Sequence, residues 1–183
     1  MPTVYRVCPE DGFQDLQSVD SDAYLAACDR SWKFDGCPVG DSWEPLEFYV
    51  RRRTLKKPDI WGVADTLAFE KNAVAVLQLC LDQAGEQLRL PFQKRNLIVL
   101  NVTYVIDVLD KKRSVYPPDF PAMIRKYVFH ADRLDYSLFK IPETRVGEIL
   151  TVEGLASPDD EFKPLVEKHG LKGLRFDELW SGE

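Results

Sequence analysis

The most regular alternation of apolar and polar positions in this chain covers residues 97–109. One face of the alternation is entirely apolar, and it comprises Ile98, Leu100, Val102, Tyr104, Ile106 and Val108. The other face mixes apolar with polar side chains. A period of two is typical of a strand with one buried face, so we predict one long strand here. Turn-forming residues follow at 110–114, and the prolines after them exclude further regular pairing.

Apolar residues recur with a longer period, near 3.6 residues, over residues 66–84. The apolar positions that recur at this spacing are Ala73, Val74, Leu77, Cys80 and Leu81. Asp65 or Thr66 can cap the start of a helix, and Gly85 can supply a left-handed stop. We therefore predict a helix over residues 66–84, with one apolar face that packs most economically against a sheet.

Shorter patterns predict the remaining elements. Strand-like segments occur at residues 4–7, 46–51, 127–130, 138–141 and 173–180. Helices are predicted at residues 20–29 and after the capping residue Ser157, with a break or restart at Pro164 and a stop at Gly170. Strands and helices without regular alternation favour an α+β fold. We expect a single domain, residues 1–183, in which a mostly antiparallel sheet packs with two or three helices.

Composition places the chain among ordinary globular proteins. Hydrophobic residues make up 45% and charged residues 30%, which is too apolar for a disordered chain. The net charge of −6 argues against nucleic acid or an anionic membrane as a partner, because both require a basic face. No apolar run approaches the length of a membrane span, and residues 1–6 lack the plan of a signal peptide, so we expect a cytoplasmic protein.

The sequence predicts no metal site and no cofactor. The cysteines show no C-x-x-C pair and are expected to be free thiols: Cys8, Cys28, Cys37 and Cys80. Neither His130 nor His169 has a cysteine close by, and a structural or capping role is favoured for both. Neither a Gly-rich phosphate loop nor a G-x-S-x-G motif occurs in the sequence.

Asp107 and Asp110 are the best candidates for enzymatic chemistry. Two carboxylates at the end of a strand could hold Mg²⁺ or share a proton. Residues three apart on a straight strand point to opposite faces, however, so these two would converge only if the chain turns between them. The favoured interpretation is that Asp107 bonds to neighbouring backbone while Asp110 begins a turn or pairs with Lys111 or Arg113.

Charge is distributed unevenly along the chain. Residues 1–50 contain ten acidic and three basic residues, a net charge of −7, and a basic run follows at residues 51–57. Carboxylates select basic partners, and aromatic residues anchor interfaces. We predict a partner-facing acidic zone formed by Asp11, Asp15, Asp20, Asp22 and Asp41.

Three sequence blocks, in this order, resemble the bacterial polymorphic-toxin immunity family, long catalogued as a domain of unknown function. They are Trp32-x-Phe34-x-Gly36-x-Pro38-Val39 with Ser42-Trp43-x-Pro45; Val99-Leu100-Asn101-Val102 with Val105-Ile106-Asp107-x-Leu109-Asp110 and Ser114; and Gly170-Leu171-x-Gly173-Leu174-x-Phe176-x-x-Leu179-Trp180. Together they span about residues 32–180. The first thirty residues, the basic run at Arg51 and the Pro164 interruption depart from the family pattern.

The resemblance implies a small cytoplasmic protein that is encoded beside a toxin, binds that toxin and neutralises it. It implies neither catalytic residues nor a cofactor. The matched residues would be fold determinants: Gly173 for a backbone turn, Phe176 and a mostly buried Trp180 for packing, and Asp107 and Ser114 for turn hydrogen bonds. Two alternatives stay open. One is a small metal-dependent hydrolase that uses Asp107 and Asp110, and the other is a regulatory binding module that self-associates through the Trp180 end.

Overall fold

The computed structural model describes residues 1–119, 123–145, 147–155 and 157–182. Within these ranges it contains three antiparallel sheets and three α-helices, and the α+β prediction is confirmed. The elements are β1 (Thr3–Pro9), β2 (Asp15–Ser18), α1 (Ser21–Ala27), β3 (Phe48–Arg51), β4 (Ile60–Val63), β5 (Thr66–Phe69), α2 (Lys71–Ala84), β6 (Gly85–Phe92), β7 (Arg95–Val102), β8 (Leu138–Phe139), β9 (Ile149–Glu153), α3 (Phe162–Lys168) and β10 (Leu174–Ser181). Short 3-10 helices occur at Gly40–Ser42, Ala131–Arg133 and Pro158–Asp160.

The first and last strands lie side by side in one four-stranded sheet. Its order is β10-β1-β9-β8, so β1 pairs with strands from the opposite end of the sequence on both of its edges. Two aromatic residues of β10 anchor this sheet. Phe176 packs edge-on against Phe162 of α3, with 6.3 Å between ring centroids. Trp180 packs edge-on against Phe129, with 5.8 Å between ring centroids. Trp180 is thus a packing residue as expected, but it is only partly buried.

The second four-stranded sheet has the order β4-β5-β7-β6 and is built around β7. Both faces of β7 are buried, because Leu100 and Val102 join the core beneath α2 and α3 while Leu97 and Val99 join a second core on the far side. The strand predicted over residues 97–109 therefore ends early, at Val102. Beyond it the backbone amides of residues 103 and 104 bond back to the carbonyl of Ala84, and only isolated bridges continue.

The predicted helix over residues 66–84 begins later than expected. Its first four residues form the buried strand β5, and α2 starts at Lys71 with Glu70 at the N-cap position. The hydroxyl of Thr66 donates to the carbonyl of Leu100 on β7 and does not cap the helix. Gly85 does end α2, but in an extended conformation and not a left-handed one. A side chain there would meet the carbonyl oxygen of Asn101 at 2.1 Å, which explains the glycine.

The C-terminal prediction is largely confirmed. Ser157 caps the 3-10 helix, and α3 restarts at Phe162, so Pro164 lies in the first helical turn, where a missing amide hydrogen is tolerated. Gly170 ends α3 in a left-handed conformation with φ +61°. Gly173 has φ +109°, and a side chain there would meet the carbonyl oxygen of Ile60 at 2.3 Å.

The remaining predicted strands and helix are confirmed in part. The strands at residues 4–7, 46–51 and 173–180 correspond to β1, β3 and β10, and the helix at 20–29 corresponds to α1. The segment 127–130 is not a strand, since it contributes a single bridge between Phe129 and Leu109. The segment 138–141 shortens to β8.

The N-terminal third packs on the second sheet through an aromatic cluster. Trp32 lies at its centre, with ring centroids 4.8 Å from Trp43, 5.0 Å from Phe48 and 5.7 Å from Phe34. Its indole nitrogen donates to the carbonyl of Glu44 at 3.0 Å. This cluster holds α1 and the β2–β3 pair against β7, and so positions the surface described next.

Candidate protein-binding surface

Helix α1 is fixed at its start by Asp20 and on its inner face by aromatic packing. One oxygen of the Asp20 carboxylate accepts from the backbone amides of Asp22 (3.0 Å) and Ala23 (2.9 Å), which satisfies two free donors of the first turn. Tyr24 packs edge-on against Trp32, with 6.2 Å between centroids. The outer face of α1 carries Leu25, which is 65% exposed.

A shallow cavity of about 230 Å³ opens between α1 and the β2–β3 pair. Its apolar lining consists of Leu16, Tyr24, Phe48 and Ala64, and its polar lining of Gln17, Ser18 and Ser21. We call this cavity, with the exposed residues Val19 and Leu25 next to its lining residues in the sequence, the α1 groove. Val19 is 54% exposed and continues β2, while Tyr49 on β3 donates from its hydroxyl to the Gln17 side chain at 2.9 Å.

Three exposed carboxylates adjoin lining residues of the α1 groove in the sequence, and we call them its rim. Asp22 is exposed in the first turn of α1, and Glu47 is exposed beside Val19, whose amide donates to the Glu47 carbonyl at 2.9 Å. Asp65 is exposed next to Ala64 in the lining. Burial, a hydrogen bond involving Cys28 and the negative charge of Asp65 all raise the pKa of Tyr24, so its hydroxyl stays protonated.

The structure separates the five acidic residues that the sequence singled out. Asp20 and Asp22 lie together on α1. The Asp15 carboxylate is instead held by Arg51 and Arg52; burial alone would raise its pKa, but these two guanidinium groups lower it. Asp11 is highly exposed and lies 3.7 Å from Arg175 on β10. Asp41 is exposed on the 3-10 helix after Val39. Contact of any of them with a partner stays a prediction.

A hydrogen-bond network that the sequence did not indicate holds the segment carrying Asp41. The Glu86 carboxylate on β6 accepts from the backbone amides of Val39 (2.8 Å) and Gly40 (2.9 Å) and from the side-chain amide of Asn101 (2.8 Å). Burial opposes ionisation of Glu86, but these donors lower its pKa. Asn101 is fully buried on β7. A single polar residue within the apolar run 97–102 is the sequence signal that could have indicated this network.

Lys140 is a second unexpected feature of this half of the molecule. It directly follows β8, is only 1% exposed, and donates to the carbonyl oxygens of Phe34 (2.5 Å) and Arg145 (2.9 Å). Burial lowers its pKa to about 8, against the more distant charges of Asp35 and Asp65, which raise it. The side chain thereby ties the aromatic cluster to the first sheet.

Asp107 and Asp110 have separate structural surroundings. Asp107 is exposed and lies 3.6 Å from the Lys111 ammonium. Asp110 begins a turn and accepts from the amides of Lys112 (3.0 Å) and Arg113 (3.1 Å), and these bonds lower its pKa. The expected turn hydrogen bonds are therefore made by Asp110 and not by Asp107. In the ranges that the structure describes, no group of three or more His, Cys, Asp or Glu residues could hold a metal ion.

The remaining sequence candidates lie in structural positions. The backbone amide of Ser114 donates to the Asp110 carbonyl at 2.8 Å within the turn, while the Ser114 hydroxyl accepts from the distant amide of Val128 at 3.1 Å. His169 occupies the C-cap of α3. All four cysteines are free thiols. No helix in the described part of the chain is long and apolar enough to cross a membrane.

Comparison with known proteins found neither a matching family model nor a matching curated protein. Each of the three blocks that carry the family resemblance contains packed residues of the fold. The first supplies Trp32 and Trp43 of the aromatic cluster, the second covers the last four residues of β7 and the turn at Asp110, and the third begins at the glycine that follows α3 and continues to Trp180 of β10.

Proposed function

We propose that this protein is a non-enzymatic immunity protein, which binds a cognate bacterial toxin effector in the cytoplasm and neutralises it. The observation that carries the proposal is the α1 groove, where exposed apolar side chains and exposed carboxylates adjoin the same apolar cavity. Apolar anchors supply binding energy at protein interfaces, and charges around them select the partner and speed its approach.

The positions of the three sequence blocks in the fold support the same proposal. The blocks include residues that hold the fold, such as Trp32, Gly173 and Phe176. They leave out the exposed Asp22 and Leu25 on α1. This is the distribution expected where one fold is retained while the binding face is fitted to different toxins.

Neutralisation would be stoichiometric, because the inhibitor acts by occupying the toxin and not by converting it. The net charge of −6 and the acidic rim of the groove suit a toxin with a basic contact face. Association should therefore be fastest at low ionic strength, where charges attract over a longer range.

The test is co-expression with the effector domain encoded by the neighbouring toxin gene. Growth should be restored by this protein and not by a non-cognate immunity protein, and the purified pair should form a tight stoichiometric complex in size-exclusion chromatography with light scattering. Cells that die at equal expression levels, together with separate elution of the two proteins, would refute the proposed function.

A further inference from the structure

We propose that the α1 groove is the toxin-contact site, and that its occupant is a basic, amphipathic segment of the toxin; this inference rests on the proposed function. In the bound state, apolar side chains of the segment lie on Leu16, Tyr24 and Phe48. Its lysine or arginine side chains reach the carboxylates of the rim.

Exposed apolar side chains adjoin this groove. The described residues include eight large hydrophobic side chains that are exposed, and Val19 and Leu25 are two of them. They border a cavity whose floor, formed by Leu16 and Phe48, is already buried. A ligand that covers the groove thus removes apolar surface from water, which is the main source of affinity at an interface core.

Charge determines the chemistry of the occupant. Between residues 18 and 30 the chain carries three aspartates against the single cation Arg30. Glu47 and Asp65 add two exposed carboxylates at the groove from other segments. Lysine and arginine can lay their aliphatic stems on Val19 or Leu25 while their charged ends reach these carboxylates. A basic amphipathic segment meets both requirements, whereas an acidic one would be repelled.

A second cavity among the described residues, of about 300 Å³, lies beside Leu79 of α2 and differs in chemistry. Two of its carboxylates already have partners within the chain. Asp135 accepts from the Tyr104 hydroxyl at 2.5 Å, and Glu161 accepts from two backbone amides at 2.7 and 2.9 Å. The α1 groove, with its apolar lining, is the better site for an apolar anchor. Leu79 is also an exposed leucine on a helix, so it provides a matched control.

The first experiment measures affinity for the neighbouring toxin's effector domain, purified in a catalytically inactive form, by calorimetry. Leu25→Lys should weaken binding by at least about 30-fold, because it removes an apolar anchor and places a cation among incoming cations. Leu79→Lys should change it by less than about 2-fold. Near-ultraviolet circular dichroism and thermal melting check that each variant is folded, and Leu25→Ala with Val19→Ala replaces the lysine variant if that one unfolds.

The second experiment measures the association rate as a function of salt. Asp22→Lys should slow association about 10-fold at low ionic strength, and the difference should shrink above 0.5 M salt. Asp132→Lys, on the exposed 3-10 helix Ala131–Arg133, is the charge-matched control and should have less effect.

The outcomes of these two experiments distinguish the proposed contact site from the proposed function. If the wild-type protein binds and protects while Leu25→Lys and Asp22→Lys bind equally well, the groove is not the contact site, but the proposed function stands. Loss of binding in Leu79→Lys alone would move the site to the competing cavity and overturn this inference. If the wild-type protein neither binds nor protects, both proposals fall together.

Discussion

Replacing Lys140 with Met should change how the stability of this protein depends on pH. The Lys140 ammonium is buried against two backbone carbonyls, and no carboxylate lies within hydrogen-bonding distance among the partners described for it. Burial disfavours the charged form and lowers its pKa from 10.5 to about 8. Methionine has a similar length and no charge, so it removes the titration while largely retaining the packing.

The sign and size of the effect follow from proton linkage. Because the pKa is lower in the folded state, the unfolded state binds more protons between about pH 8 and 10.5, and the free energy of unfolding rises with pH across that window. The full shift corresponds to about 3 kcal/mol, at about 1.4 kcal/mol per pKa unit. Between pH 7 and 9.5 the wild-type protein should gain about 2 kcal/mol relative to Lys140→Met.

Urea unfolding of both proteins at pH 7, 8.3 and 9.5 measures this difference. Titrations common to the two proteins, such as those of the tyrosines and the buried Cys80, cancel in the comparison. Lys94→Met, at an exposed position in the β6–β7 turn, controls for the loss of one positive charge.

Parallel stability curves for wild type and Lys140→Met would refute the reasoning. They would mean that the lysine binds its proton equally well in both states, and therefore that burial does not disfavour its charge. Titration of the Lys140 side-chain nitrogen by NMR would measure the lowered pKa directly and independently of unfolding.

Three further predictions concern the fold. Removing residues 176–183 takes away most of β10 and the packing of Phe176 and Trp180, so the truncated protein should lose its cooperative melting transition; an unchanged melt would contradict the packing role. Gly173→Ala should destabilise by about 2 kcal/mol or more and Gly170→Ala by about 1 kcal/mol in urea unfolding, because a side chain at 173 also meets backbone. Equal losses would refute the steric argument. Glu86→Ala should destabilise by about 2 kcal/mol and shift Trp43 fluorescence, since three donors lose their acceptor; an unchanged emission spectrum would show that Glu86 does not hold this segment.

Elements with a local signal could be predicted from the sequence, and those set by distant partners could not. Ser157 and Gly170 mark the ends of their helical segments through chemistry that needs no tertiary contact. In β5, by contrast, Thr66 and the three residues after it are all buried, and a short apolar run looks the same in a strand and in a helix.

Strand β6 shows how one residue can hide a regular pattern. Leu88, Leu90 and Phe92 alternate with more exposed positions, which is a period of two. Pro91 argues against a strand, but β6 lies at the edge of its sheet, where a missing amide hydrogen is tolerated. Whether a strand lies at the edge or in the middle of a sheet cannot be read from its own sequence, because the strand order depends on distant partners.

The candidate site likewise combines features with a local sequence signal and features that depend on tertiary contacts. The excess of acidic residues in the first fifty positions is visible in the sequence, and it led to Asp20 and Asp22. The pairing of Asp15 with Arg51 depends on the β2–β3 register, which places these two residues opposite each other. Lys140 gave no signal at all, because lysine is almost always exposed.

The place of β1 between β9 and β10 also governs when the protein can finish folding. Residues 3–9 leave the ribosome some 140 residues before their first neighbour, β9, begins. At about 5 to 20 residues per second, that interval lasts roughly 7 to 28 s. Val4 and Val7, both buried in the finished sheet, have no strand to pair with during that time. The first sheet can therefore close only once β9 and β10 have been synthesised, and until then β1 is an unpaired strand that chaperones can cover.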